Sequence, residues 1–394
     1  MAAMRDTSLG LASMVLVLAS VCSCGDDASN PPEPSTLTTP VTAQDVSILF
    51  PLPAPPLRTS LIGAEESGTL GPLLPKEIYL ELPYVDALLS NEATYPFLRV
   101  VSIRFDPCFP GLGEPCHAQI RLVMQPVTVS DDGEVLETLD AAIHTFYELP
   151  IDQWEGCLAD VVGAREASSV EGEPVVGVHP ALLAEGVEGA FMTRLREVLL
   201  RCAGQQNLTR VTFMGLENLG SRWRFGGYDI SAGELVPMVV VGFEEEVVEQ
   251  TFFNDDATGM TFLEATVSPA SPSPDEFALF LSATRLETST EEERLEAFRA
   301  LLRVENPTLH SPATVDCVTC HLAMPVRDFV ERTYGLSGDG LEESFPSDVI
   351  GRTAAGTTHL RAFGYFEDKP SISQRTVNET SATVHYVNDN LVGK

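Results

Sequence analysis

Positive charge is scarce in this chain of 394 residues. Its 24 Lys and Arg stand against 57 Asp and Glu, a formal net charge of −33. Such a chain is repelled by nucleic-acid phosphates and by anionic lipid surfaces, which excludes nucleic acid as a partner. Long apolar runs are missing too. The run from Leu9 to Val21 has 13 residues, short of the ~20 that span a bilayer. There is no GxSxG, no HExxH, no Walker loop and no GxGxxG after a strand, so the common hydrolase, zinc-protease and nucleotide chemistries have no anchor here. The stretch Asn254-Asp255-Asp256-Ala257-Thr258-Gly259 lacks the spacing and terminal Glu of a calcium loop and reads as a turn. Apolar residues are plentiful at 44%, enough for a sizeable core, and the length allows two or three domains.

The N-terminus reads as an address. Arg5 is the only basic residue before the apolar run, which ends at Val21-Cys22-Ser23-Cys24-Gly25. A short positive segment, an apolar core and small residues before a break describe an export signal. Val21–Cys24 resembles the lipobox of bacterial lipoproteins. That resemblance implies lipidation of Cys24, a membrane anchor, and a protein facing the periplasm or cell surface. Ordinary cleavage without a lipid is the alternative reading. Residues 25–43 are rich in Pro, Ser, Thr and Asp and read as a solvated tether behind residues 1–24.

Eight cysteines then divide by job. Cys22 and Cys24 belong to the N-terminal signal. Cys108 and Cys116 bracket a Pro/Gly loop, and Cys157 and Cys202 remain in the body. An oxidising compartment favours pairing these four, and proximity suggests Cys108–Cys116 and Cys157–Cys202 among three connectivities. Cys317-Val318-Thr319-Cys320-His321 is a CxxCH motif. This is the attachment signature of c-type haem. Two thiols at this spacing reach the two vinyl groups of one porphyrin, and the adjacent imidazole is a known iron ligand. Such attachment in bacteria takes place outside the cytoplasm, in agreement with the export signal. Other readings of CxxC are a redox dithiol, a disulfide or half a zinc site. The first favours a βαβ context, whereas Asn306, Pro307, Ser311 and Pro312 make the approach a loop. The last needs a further short-spaced ligand pair, which is absent.

On these residues the chain resembles exported c-type cytochromes with one haem, over the motif and the last 90 residues. The resemblance implies haem c bound by thioethers at Cys317 and Cys320, His321 as proximal iron ligand, and single-electron transfer to a redox partner protein. Small cytochromes of this kind carry a ligand methionine well downstream. Here the only methionine after Cys320 is Met324, four residues on, where it shares the proximal side. His359 and His310 rank first as distal candidates, with Met238 and Met260 from upstream behind them. A surface histidine is the ordinary reading of each. Only one CxxCH is present, which argues against a two-haem peroxidase. A structural or binding lipoprotein with CxxC as a clip, and a haem-based sensor, are the rival functions.

The body, residues 44–304, reads as mostly β. Runs with alternation or β-branched richness include Val46–Phe50, Ile78–Leu82, Leu98–Phe105, Ile120–Met124, Ala142–Tyr147, Thr209–Leu216, Arg222–Ile230, Leu235–Phe243, Val248–Asn254, Thr261–Val267 and Phe277–Ala283. Helical stripes occupy 187–202, 290–304 and 376–391. Thr290 and Glu293 form a capping box for the second. The expected fold is α+β, mostly β: an antiparallel, sandwich-like body followed by a small irregular or helical haem-bearing segment, 305–394.

Overall fold

The computed structural model describes residues 37–394 apart from 84, 86–88, 110–115, 218–221, 243–245, 256–260, 263–275 and 354–359. Cys24, Val21 and His359 lie outside the described residues, as do Met260 and most of the 254–259 turn.

The fold is α+β, dominated by one antiparallel sheet of ten strands. These are β1 (Ser47–Leu49), β2 (Leu98–Phe109), β3 (His117–Val129), β4 (Leu136–Thr138), β5 (Ala141–Leu149), β6 (Leu208–Glu217), β7 (Arg222–Ser231), β8 (Glu234–Pro237), β9 (Glu249–Asp255) and β10 (Thr261–Phe262). They run in the order β1-β2-β3-β5-β6-β7-β9-β10, with β4 on β3 and β8 on β7. Both faces of this sheet are buried, so alternation is blurred. In β5, Ile143, Thr145 and Tyr147 face one way and Ala142, His144 and Phe146 the other.

The two faces are covered by helices rather than by a second sheet. On the Ile143 face lies α1 (Ile151–Ala167), whose Trp154 packs edge-on against Phe105 with ring centroids 6.1 Å apart. Its indole N–H donates to the Gln119 carbonyl at 3.0 Å. A disulfide, Cys157–Cys202, ties α1 to α2 (Ala190–Cys202). A second closes Cys108 to Cys116 at the β2–β3 turn. On the His144 face lie α3 (Glu291–Glu305), α4 (Cys317–Tyr334) and α5 (Gln374–Asn390), with the hairpin β11 (Phe363–Phe366) and β12 (Lys369–Ile372). Gln125 of β3 pins this hairpin by bonding the Tyr365 carbonyl at 3.0 Å and the Tyr365 N–H at 2.8 Å.

Local chemistry explains most of these elements. The Thr290–Glu293 capping box is formed at the start of α3, and Phe298, Leu301 and Leu302 are buried. Two short apolar runs expected as strands are helical. Residues Lys76–Glu81 form a helical turn and a half behind Pro75, burying Ile78 and Tyr79. Glu276–Leu281 is a 3-10 turn. Runs this short bury equally well either way, and here packing decides. Helix α4 is a further difference, since Pro325 and the following glycines suggest turns. The helix accommodates Pro325 in its middle and ends on Gly335, which has φ +65°.

The described residues belong to one compact unit. The expected boundary at 304 is therefore not a seam. Val318, Leu322, Phe363, Tyr365 and Val377 share one core with Ile120 and Trp154. The packed body also starts before residue 44, because Leu37 and Val41 of the expected tether are buried. Among the described residues, no helix is long and apolar enough to cross a membrane.

Candidate functional site

The site is built where α4 meets the sheet. Asp316 caps α4, its carboxylate accepting the Thr319 N–H at 3.0 Å. Gln250 of β9 reaches up from the sheet to both sides of this cap. Its Nε2 donates to Asp316 at 2.7 Å, and its Oε1 accepts the Val318 N–H at 3.1 Å. The CxxCH residues thus occupy the first turns of a helix held from below. Positions 317, 320 and 321 are spaced i, i+3 and i+4, which puts all three side chains on one helix face. They line one cavity together, while Val318 and Leu322 are buried in the core.

Cys317 and Cys320 are free thiols, although the other four described cysteines are all paired. Burial is the main cause that pushes the Cys317 thiol up to about 12, with Asp316 adding to it. Burial likewise takes Cys320 to about 11. Both are neutral thiols at pH 7, a poor state for disulfide exchange.

His321 is oriented by the backbone. Its Nδ1 lies 2.5 Å from the Leu360 carbonyl. A carbonyl only accepts, so Nδ1 carries the proton and Nε2 keeps a free lone pair. A hydrogen bond of this kind fixes the ring and presents its other nitrogen to a metal. Burial pulls the His321 pKa down, and the Leu360 bond partly offsets it.

Facing α4, the sheet supplies the floor. Register builds it in three rungs. Ser102, Val123, His144, Thr212 and Gly227 make one. Arg104, Arg121, Phe146, Arg210 and Asp229 make the next. Ala142, Met214, Phe225 and Gln250 make the third. The His321 ring centroid lies 5.0 Å from that of Phe225 and 6.4 Å from that of His144. Neither ring nitrogen of His144 makes a hydrogen bond among the described residues. Burial first, then His321 and two arginines, lowers its pKa to about 3, so the ring is neutral.

The cavity measures about 170 Å³. A second of about 80 Å³ adjoins it, sharing Arg210, Met238, Pro312, Val315, Asp316 and Cys317. Four arginines, Arg104, Arg121, Arg210 and Arg375, line the larger one against two acids, Asp316 and Glu379. That is an arginine-rich chamber in a chain of charge −33, each arginine being answered by a carboxylate. Glu379 of α5 holds three of these arginines. It accepts from Arg375 Nε at 2.6 Å, bonds Arg104, and lies 3.5 Å from Arg121 Nη2. Burial alone would raise its pKa, but Arg375, Arg104 and Arg121 together hold it well below the usual carboxylate range. Arg210 is paired to Asp229 at 2.6 Å.

The distal candidates fare differently. His310 is buried, but its ring is 3.2 Å from Thr314 Oγ1 and does not line the cavity. Met238 does line it. Met324 is buried elsewhere. The remaining described histidines are engaged away from the chamber. His117 lies near Glu148, His179 stacks on Phe191, and His385 pairs with Asp348. No motif marks His144 or the arginines. The one signal available in the sequence is basic residues placed inside otherwise apolar strands. Among the described residues, no group of three or more Cys, His, Asp or Glu is arranged to hold a metal ion by itself. No protein-family model, curated protein or solved structure matches the chain.

Proposed function

We propose that the chain is an exported, lipid-anchored carrier of one covalent c-type haem that passes single electrons to a redox partner protein. The observation that carries this reading is the convergence of the two unpaired thiols and the pre-oriented imidazole of His321 on one cavity. The donor set fits the group. Cys317 and Cys320 would each add S–H across a vinyl double bond, forming one C–S bond with the hydrogen going to the other vinyl carbon, so no oxidant is needed. His321 Nε2 would hold the iron. Arg104, Arg121, Arg210 and Arg375 would meet the two propionates. The bound group supplies one-electron chemistry. The chain's part is to orient the ligand, dry the chamber and set its charge. The two pockets together fall below the ~300 Å³ at which ligand pockets typically begin, so the chamber must widen on loading. A zinc clip is disfavoured because, among the described residues, no three or more Cys, His, Asp or Glu are arranged to hold a metal ion.

The test is a pyridine haemochrome spectrum after expression with a c-type maturation system, followed by a denaturing gel. The expected result is a c-type spectrum that migrates with the denatured chain and vanishes in the Cys317→Ala, Cys320→Ala double variant. A wild-type chain without covalent haem would overturn the reading. Anchoring is checked separately, by metabolic labelling with a fatty acid and its loss in Cys24→Ser.

A further inference from the structure

We infer that His144 is the second axial ligand of the iron, making the centre bis-histidine. This rests on the covalent-haem reading above and goes beyond it, because the motif assigns only one face of the iron. Three observations carry it. First, His144 projects from the sheet floor into the same cavity as Cys317, Cys320 and His321. Second, among the described residues its ring nitrogens make no hydrogen bond, which leaves its lone pair uncommitted there. Third, the His144 and His321 ring centroids are 6.4 Å apart. Two imidazoles that share one metal through bonds of about 2 Å each place their centroids roughly 6 Å apart. Ring pairs in ordinary contact span about 4.5–7 Å, so the separation permits a shared metal, and the common cavity and the uncommitted ring nitrogens are what assign it.

The placement has a rigid origin. His144 lies in β5, hydrogen-bonded on both sides, to β3 through the Val123 pairing and to β6 through the Thr212 pairing. His321 is fixed by Leu360 on the opposite wall. A ligand on a central strand cannot swing away as one on a loop can. The competing donor is Met238, which lines the cavity from the segment just beyond β8. Met238 comes from outside the regular strands, its N–H held by the Gly227 carbonyl at 2.9 Å, whereas His144 is held within a central strand.

The test uses the full chain matured with haem, read by ferric electron paramagnetic resonance and near-infrared magnetic circular dichroism. Wild type is expected to give a low-spin bis-imidazole signature. His144→Ala is expected to keep covalent haem on the denaturing gel, lose the low-spin signal, and regain it when free imidazole is added. His144→Met should stay low-spin with a higher reduction potential, since a methionine ligand raises it. Met238→Ala should leave the spectrum unchanged. A thioether charge-transfer band or a high-spin ferric signal in wild type overturns the assignment. So does a low-spin spectrum that survives His144→Ala. All of these are distinct from failure of the haem reading, in which no variant, wild type included, carries covalent haem. Should His144→Ala not accumulate, the wild-type and His144→Met spectra decide alone.

Discussion

Replacing Glu379 by Gln tests how the arginine-lined chamber is held together. Arg104 and Arg121 stand directly opposite each other on β2 and β3, an arrangement that repels. Arg375 adds a third guanidinium from α5. Two carboxylates answer them. Asp106 bonds Arg121 at 2.7 Å and Arg104 at 3.1 Å, and Glu379 serves all three arginines. The substitution leaves three positive charges facing one negative. Removing one partner of a buried ion pair costs about 3–5 kcal/mol. Glu379 keeps 16% of its side chain exposed, which places the expected loss at the lower end, about 3 kcal/mol. The pH dependence gives the sign. The native Glu379 pKa lies well below its ordinary value, while the unfolded chain titrates near ~4.3. The stabilisation is therefore complete above about pH 5. Below ~4.3 the unfolded chain takes up a proton that the native chain refuses, and about 1.4 kcal/mol is lost per pH unit. Urea unfolding followed by circular dichroism should give a wild-type advantage of about 3 kcal/mol at pH 7, shrinking to about 1 kcal/mol at pH 3. A difference under about 1 kcal/mol at pH 7, or an equal difference at both pH values, would refute the account.

Two further substitutions probe the scaffold. The Cys157–Cys202 bridge closes 45 residues, so the double alanine variant should lose roughly 4 kcal/mol by the loop-entropy relation. The Cys108–Cys116 bridge closes only 8 and should cost roughly 2.5 kcal/mol by the same relation, so the ranking of urea midpoints checks both. Gln250→Leu strips the α4 cap of two bonds and leaves Asp316 short of a donor in a buried place. The expected loss is about 2–3 kcal/mol, with less covalent haem per chain on a stained gel. An unchanged midpoint would mean that the cap is satisfied without the sheet.

Much of the fold is legible in the strand pattern because β2, β3, β5, β6 and β7 are long and apolar. Helix α3 is legible through its capping box. Helix α1 is not, since Gly156 and Gly163 interrupt its apolar stripe, and Trp154 finds its partner only on a strand distant in sequence. Helix α4 is hidden by Pro325. Proline removes one backbone bond, the one to the His321 carbonyl, and packing of Val318, Leu322 and Val326 in the core outweighs that loss.

The sequence by itself determined the chemistry on one side of the site. The spacing in Cys317-Val318-Thr319-Cys320-His321 is local, and a helix turn is enough to bring its three groups to one face. It also determined the acid excess and the apolar strands that must pair. Only the tertiary structure decided what faces the motif. His144 and Arg121 are over 170 residues away in sequence from His321, and strand register brings them to the opposite wall. A one-residue slip of β5 would turn His144 to the other face of the sheet and leave the chamber without it. Register depends on cross-strand burial along the whole sheet, a property of no short stretch of sequence.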